Sequence, residues 1–425
     1  MKRQCCKYFL IKLNAGALQF TIAFSLLVLM AVLSFLLFHQ LRGKELIDVQ
    51  MNQNLSNDIG SATLILEESP ALFGRDPSEF YLRAEVFSDS VHVTVQEWGF
   101  YHIATLTNHF GPVTKQKSFL FSDDIHRNKL KPSLYFSDPH RYLSVGGKTF
   151  LGHETYLPAY GVRKAYVNGI GYYRDSLIQG TSHQAESELP VLQEKPDGKY
   201  SRLCERIAAF DSVISLPEIR VSDTIFNSFH NKPLVILCPE EAVLKDICLK
   251  GNIVLKAVDL DIRNTATVEN CIIIAESVRI EDQFCGSGQF VVSRTISAGD
   301  SCRFDIPTVF YAESQSVAGS IHLGRDCLFY GDIIQRGSAP RESEILVVGE
   351  NTRMVGQVYC NGTVSFQATL FGSLFCRGFV HRMPNGLYNN YLLNVCIDFE
   401  RLPPEYGGIA LTEEENGKKC LFEVY

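Results

Sequence analysis

The chain lacks the local signatures of most common enzyme chemistries. It has no glycine-rich phosphate loop, no GxSxG elbow and no HExxH pair. Nucleotide binding, serine hydrolysis and zinc proteolysis therefore have no motif to stand on. Among 13 cysteines and 11 histidines there is no CxxC and no cluster at zinc spacing, so no metal or other cofactor is expected. No catalytic, cofactor-binding or metal-binding residue is assigned. Tryptophan occurs once, at Trp98, where a core anchor is the simplest reading. Acids are missing from residues 1–44, which carry six basic groups; the remainder holds 34 basic and 47 acidic residues, a net −13. An acidic body excludes a nucleic-acid partner, whose phosphates need a basic surface.

Against these absences stands one long apolar run. Ala15 to Phe38 is 24 residues without a charge, interrupted mainly by Gln19, Thr21 and Ser25. About 20 apolar residues cross a hydrocarbon core, and the run exceeds the apolar core of a signal peptide. Phe38 to Arg42 offers no small-residue cleavage site. Residues 15–38 read as a transmembrane helix in contact with lipid, and residues 1–14 as a basic cytoplasmic tail. The bulk then lies on the far side, which in a bacterium is the periplasmic face of the inner membrane. Leu46, Val49, Leu55, Ile59 and Leu64 continue a helical spacing, so residues 39–70 read as a helical stalk closed by Pro70.

The second feature is a beat of 18 residues. Apolar triplets spaced by six recur at Leu260/Ala266/Ile272, Val278/Phe284/Phe290 and Ile296/Cys302/Thr308, with Thr308 the polar exception. They return at Ile321/Cys327/Ile333, Leu346/Thr352/Val358 and Val364/Leu370/Cys376. Two steps are 25 residues, placing insertions near Ser314–Ser320 and Gly337–Ser343. A fixed period with loop-sized insertions marks a repeat architecture. A period of two within each short run marks strands. Three short strands per turn predict a parallel β-helix, a solenoid over residues 134–383 with an insertion near 181–232. The six-residue steps suit a left-handed coil; the insertions and the inward aromatics favour a right-handed one. The fold class is mainly β.

Residues 71–133 alternate apolar and polar and predict a small antiparallel β region, with turns at Ser88-Asp89-Ser90 and Phe110-Gly111-Pro112. Leu134 to Gly180 reads as irregular first turns of the solenoid, and Tyr200 to Phe210 as a short helix inside the insertion. Residues 384–425 lose the beat and read as a C-terminal cap, because an open solenoid end is an unpaired edge. Cys302, Cys327 and Cys376 at inward positions read as small buried hydrophobes.

Few residues offer chemistry. His322 is the histidine of the regular turns, at an outward position, where a solvated surface role is simplest. Asp282, Asp300, Arg325 and Glu350 share one corner offset, with Arg303 and Asp326 beside them, and read as ion-paired corners. Tyr311, Tyr330 and Tyr359 sit next to inward positions and so read as outward aromatics that would suit a glycan. Asn54 and Asn361 head glycosylation-type triplets, and Asn361-Gly362 reads as a tight turn.

The basic leader, Gly16 and the apolar helix running into an amphipathic stalk resemble pilin-like anchors, with Thr21 where that pattern has an acid. Asn54 to Ser69, Trp98-Gly99, Leu143 to Gly152 and Tyr156 to Val162 resemble uncharacterised membrane-anchored envelope proteins of the Bacteroidetes type. The repeated turns are similar to bactofilin-like polymer-forming β-helices, from which rod geometry alone carries over. The anchor, the rod and the missing catalytic groups lead to the expectation of a non-enzymatic, single-pass envelope protein that projects a rod, with pilus or secretion machinery as partner. A carbohydrate-binding or carbohydrate-active β-helix, and a hexapeptide-repeat acyltransferase, are the alternatives.

Overall fold

The computed structural model describes residues 15–74, 78–82, 90–111, 113–166, 169–192, 199–207, 213–215, 224–238, 240–313, 319–336, 344–383, 386–412 and 417–425. The expected cytoplasmic tail lies outside the described residues, as does most of both expected insertions. The chain is mainly β, with one long N-terminal apolar helix and a small antiparallel sheet.

The helix, α1, runs unbroken from Ala15 to Glu67, 53 residues, or about 80 Å at the usual rise. It is long and apolar enough to span a membrane. Side chains from Leu18 to Leu41 are exposed all round, as they must be if lipid is their solvent. From Leu55 onward one face is buried. Leu55, Ile59, Ala62 and Leu66 recur at helical spacing. Ile59, Ala62 and Leu66 pack with Val91, Val93, Val95, Ala104, Leu106 and Phe121 of the antiparallel sheet. The expected stalk therefore divides: 55–67 packs into the body, and just before it the Asn52 carbonyl accepts from Lys115 of the sheet at 3.3 Å. Pro70 opens a 3-10 turn over Pro70–Phe73, where its missing N–H costs nothing.

The antiparallel sheet contains Ser78–Leu82, Val91–Trp98, Tyr101–Phe110 and Val113–Asp123 in order. Its fifth strand is Lys418–Val424, which pairs with Val113–Asp123. The C-terminus, expected as an end cap, thus completes a sheet begun some 300 residues earlier in the chain. The apolar–polar alternation of Val113–Asp123 announces one buried face; it cannot say which strand lies beside it.

The other strands pair parallel, except Gly386–Asn389, which turns back antiparallel on Thr369–Met383. Leu260 pairs with Val278, then Ile296, Ile321, Leu346 and Val364 in turn. This is the first column of the beat, both 25-residue steps included. A second run passes from Phe304 through Phe329 and Met354 to Leu370. A third passes from Leu255 through Ile273, Phe290, Phe310, Ile333 and Val358 to Leu374. Six of the parallel strands close into a ring. Strand Thr267–Ile280 shows how links can cross between runs: it pairs with Cys248–Lys256 through one part and with Asp259–Ile262 through another.

The inward residues of all three runs form one core. In the third run the beat slips. Ile272 and Thr308 were expected inside, yet Ile273 and Phe310 belong to that core and Ile272 to a second, outer cluster. Ile272, Ile273 and Ile274 are all buried, so apolarity cannot tell the faces apart. Register shifts such as that between Ala275 and Ser277 complete the slip.

That outer cluster is a second layer. Val254, Ile272, Val291, Tyr311, Ile334, Tyr359 and Phe375 point away from the inner core and are covered. The cover is made by Trp98, Tyr101, Ile103 and Leu120 of the antiparallel sheet, by Ile409, Leu411 and Val424 of the tail, and by Ala185, Leu189, Leu192 and Leu203. Leu203 lies on α2, Lys199–Ile207, the helix expected within the insertion.

Residues 134–184 sit at the opposite end from the one expected. Leu134 pairs with Leu374, Val145 with Leu392 and Leu151 with Ile397. They extend the stack beyond its C-terminal turns instead of preceding Leu234. A repeat pattern marks membership of a stack but not the place taken within it.

Corners use residues that tolerate the left-handed region. Asp246, Asn270, Asp326, Asn351 and Asn394 all have φ between 53° and 60°, a conformation that Asn and Asp reach most easily. Two glycines are indispensable at another corner. Gly356 and Gly372 have φ of 139° and 147°. A Cβ on Gly372 would lie 1.8 Å from the Gly356 carbonyl oxygen.

Candidate functional site

Of the faces of the stack, the outward side of the first run is open and polar. Outward residues alternate with the inward Leu260, Val278 and Ile296, so strand pleating alone presents them. Asp259, Ser277, Thr295 and Ser320 form one row; Asp261, Arg279, Ser297 and His322 form the next. The Thr295 and Ser320 hydroxyls are hydrogen-bonded at 3.2 Å. A groove of about 550 Å³ lies on this face, bounded by Glu241, Val243, Asp259, Asp261, Arg279 and Ser297. Two of its three acids, Asp259 and Asp261, are paired. Arg294 reaches Asp259 at 3.4 Å and Glu276 at 2.8 Å, and Arg263 reaches Asp261 at 3.7 Å and Glu281 at 3.6 Å. Such a surface can hydrogen-bond a hydroxyl-rich ligand; carboxylates held by arginines are poorly placed to deliver protons.

A second groove, about 440 Å³, is lined by Glu350, Asn351, Gln367, Thr369, His381 and Arg382. His381 is buried, and burial holds its imidazole below the usual range, with the Glu350 charge opposing. Its ring lies 5.6 Å from that of Tyr391. Sequence reading missed His381 because it falls just past the last regular turn. His322, the candidate that reading did name, is half-buried in the open-face row.

The corner residues do meet. Asp282 Oδ1 accepts the Asp300 N–H at 2.9 Å. Asp300 accepts the Arg325 N–H at 2.8 Å and pairs with its guanidinium at 2.6 Å. The Arg325 hydrogen bonds hold the Asp300 carboxyl below the usual range. Arg303 pairs with Asp305 at 3.1 Å. These are exposed corner contacts, and among the described residues no group of His, Cys, Asp and Glu is arranged to hold a metal ion.

The aromatic candidates are corrected. Tyr311 is fully buried under Phe100, and Tyr359 is 7% exposed with its hydroxyl donating to the Pro190 carbonyl. Both do point away from the inner core, but into the second layer, which the repeat could not announce. Tyr330 is half-buried. Asn361-Gly362 is no tight turn: it lies within strand Arg353–Phe366, at a register shift between Cys360 and Thr363. Trp98 is a core anchor, edge-on to Phe229 at 5.3 Å.

A heavily engaged buried carboxylate was not foreseen. Asp332 is fully buried. Its Oδ1 accepts from Gln357 N and from the Tyr406 hydroxyl, both at 2.8 Å, and its Oδ2 from Ile409 N at 2.7 Å. Burial pushes its carboxyl up to about 6, with the hydrogen bonds opposing. Asp123 holds the same tail through Ala410 N at 3.0 Å and Lys418 at 2.5 Å. Asp332 is a clasp between stack and tail, set within a wall of side chains. Comparison with known proteins found no matching family model, no matching curated protein and no matching solved structure.

Proposed function

We propose that this is a non-enzymatic, single-pass membrane protein that holds a rigid parallel β-helix away from a bacterial inner membrane, as a structural or assembly element of the envelope. One observation carries the reading: α1 passes without interruption from an exposed apolar segment into the packed core of the body. Residues 39–51 would then set the body roughly 20 Å from the bilayer. The C-terminal end of the helix is fixed, not tethered. Arg127 forms a two-pronged pair with Glu68 just beyond it, and Glu67 accepts the Cys420 N–H at 2.8 Å. A flexible linker would serve an enzyme equally well; a rigid strut serves position. The in-register columns, with their 18- and 25-residue steps, support the solenoid, which we read as right-handed. The basic segment before α1 supports a cytoplasmic N-terminus and a periplasmic body, and pilus or secretion machinery is the partner class this placement suits.

The test is protease protection in spheroplasts combined with carbonate extraction of membranes. The reading predicts that the body is digested from outside, that residues 1–14 are protected and that carbonate leaves the protein in the pellet. A carbonate-soluble protein, or a body protected in intact spheroplasts, would overturn it.

A second reading, carbohydrate binding, draws on the open face. Its hydroxyl rows repeat at the strand spacing, about 4.8 Å, which is close to the rise of one sugar in an extended glycan. Isotherms with purified glycans, using Thr295→Ala and Ser297→Ala as controls, test it; flat isotherms sink it. An acyltransferase draws less support, because His322 lies in the outward row of the open face.

A further inference from the structure

We infer that the free end of the stack is a docking edge for an extended, acidic segment of another protein. The inference rests on the reading of the stack as an open-ended solenoid and is independent of the membrane anchor. Among the described residues the strand order ends at Gln179–Gln184, which pairs on one side only, with Gly152–Leu157. All six of its residues are exposed. Native proteins normally blunt such an edge with lysine, proline, a bulge or a covering segment. This strand reads Gln-Gly-Thr-Ser-His-Gln, with no lysine or proline, and its register is unbroken over all six pairs. An unguarded edge offers a row of main-chain donors and acceptors, the template that strand addition uses.

The surroundings give the occupant its chemistry. Four of the exposed tyrosines outside α1 lie on this end, Tyr142, Tyr160, Tyr166 and Tyr173, at 45%, 54%, 74% and 68% exposure. Tyrosine and arginine are the residue types that anchor protein partners. Cations stand among them. Arg163 lies over the Tyr142 ring at 5.5 Å, Lys164 over Tyr172 at 5.9 Å and Arg174 over Phe150 at 4.8 Å. Residues 140–184 carry five Lys and Arg against two acids, in a chain of net charge −7. That local excess fits an acidic partner and disfavours a second copy brought end against end, where like charges would face each other. A glycan could stack on the tyrosines but cannot continue a β ladder, so the bare edge favours a peptide.

The experiment uses full-length protein in detergent and a blocked eight-residue peptide of alternating Glu and Val. Matching peptides carry Lys in place of Glu, or N-methyl groups on alternate amides. Expected is saturable binding of the Glu peptide that weakens with salt, with no binding of the Lys or N-methylated peptides. The pair Arg163→Glu and Lys164→Glu should weaken it by about tenfold or more, as expected for interfacial charge, with the thermal melt unchanged. Equal binding of the N-methylated peptide, no binding of the Glu peptide, binding of polygalacturonate instead, or end-to-end self-association would each overturn the inference. Amide exchange of residues 179–184 in the free protein separates the two failures. Fast exchange without peptide binding removes the docking edge alone; strong protection there removes the open-ended stack beneath it.

Discussion

Gln289 and Phe100 are 189 residues apart in the chain, and the Gln289 Oε1 accepts the Phe100 N–H at 2.6 Å. The same side chain donates from Nε2 to the Trp98 carbonyl at 3.1 Å. One buried amide thus clamps the tip of the hairpin between Val91–Trp98 and Tyr101–Phe110 onto the stack. Gly99, between the two bonded residues, has φ of 62°, and a Cβ there would lie 2.0 Å from Gln289 Oε1.

Removing the clamp should loosen the antiparallel sheet from the stack. Gln289→Ala leaves two backbone groups without partners, at about 1–3 kcal/mol each. Gly99→Ala should do at least as much harm, through the contact and the positive φ. Trp98 is the only tryptophan, so urea unfolding followed by its fluorescence reads the docking directly. Wild-type midpoints in both variants would show that the clamp is idle.

Asp332 gives a pH dependence opposite in sign to that of most paired carboxylates. Burial lifts its folded value to about 6, above the ordinary carboxyl range. The folded state therefore holds the proton more tightly, and stability from this group is fully present below about pH 4 and lost as pH rises through 6. The span is roughly 3 kcal/mol. Tyr101 and Tyr406 are buried nearby, and Asp332 helps to push both phenols up. Urea midpoints from pH 4 to pH 7 should fall by a component that Asp332→Asn removes. An identical slope in that variant would refute the assignment.

The centre of the inner core is aromatic. Phe304 lies within 5.0–6.3 Å of Phe284, Phe290, Phe310 and Phe329, ring centre to ring centre. Phe304→Ala should cost about 3–5 kcal/mol, whereas Arg325→Ala, at an exposed corner, should leave the urea midpoint almost unchanged. Comparable losses in the two variants would mean that the stack is held by its corners.

Thiol reactivity should be sharply uneven. Cys285 is exposed, while Cys271, Cys302, Cys327, Cys360 and Cys376 are buried. Burial raises the Cys271, Cys360 and Cys376 thiols above their ordinary range, and the thiolate is the reactive form. Maleimide on native protein, read by peptide mass mapping, should mark Cys285 first and leave those five until denaturant is added. Early labelling of Cys360 or Cys376 would contradict the packing.

Much of this molecule is legible in the chain because it rests on local rules. A chargeless run of 24 residues makes a membrane-length helix whatever follows it. In the first run, residues that repeat every 18 or 25 positions pair at those spacings, because pleating and parallel register turn sequence period into spatial column. Other features depend on contacts between segments that the chain does not link. Ile272 faces the second layer and Ile273 the core because both sides of that strand are covered, and only the cover tells them apart. Residues 134–184 extend the far end, and Lys418–Val424 completes a sheet begun near the N-terminus. Backbone hydrogen bonds accept any strand of suitable shape. Which strand arrives is a matter of long-range packing, and the same packing buries Tyr311 and Tyr359 and makes Asp332 a clasp.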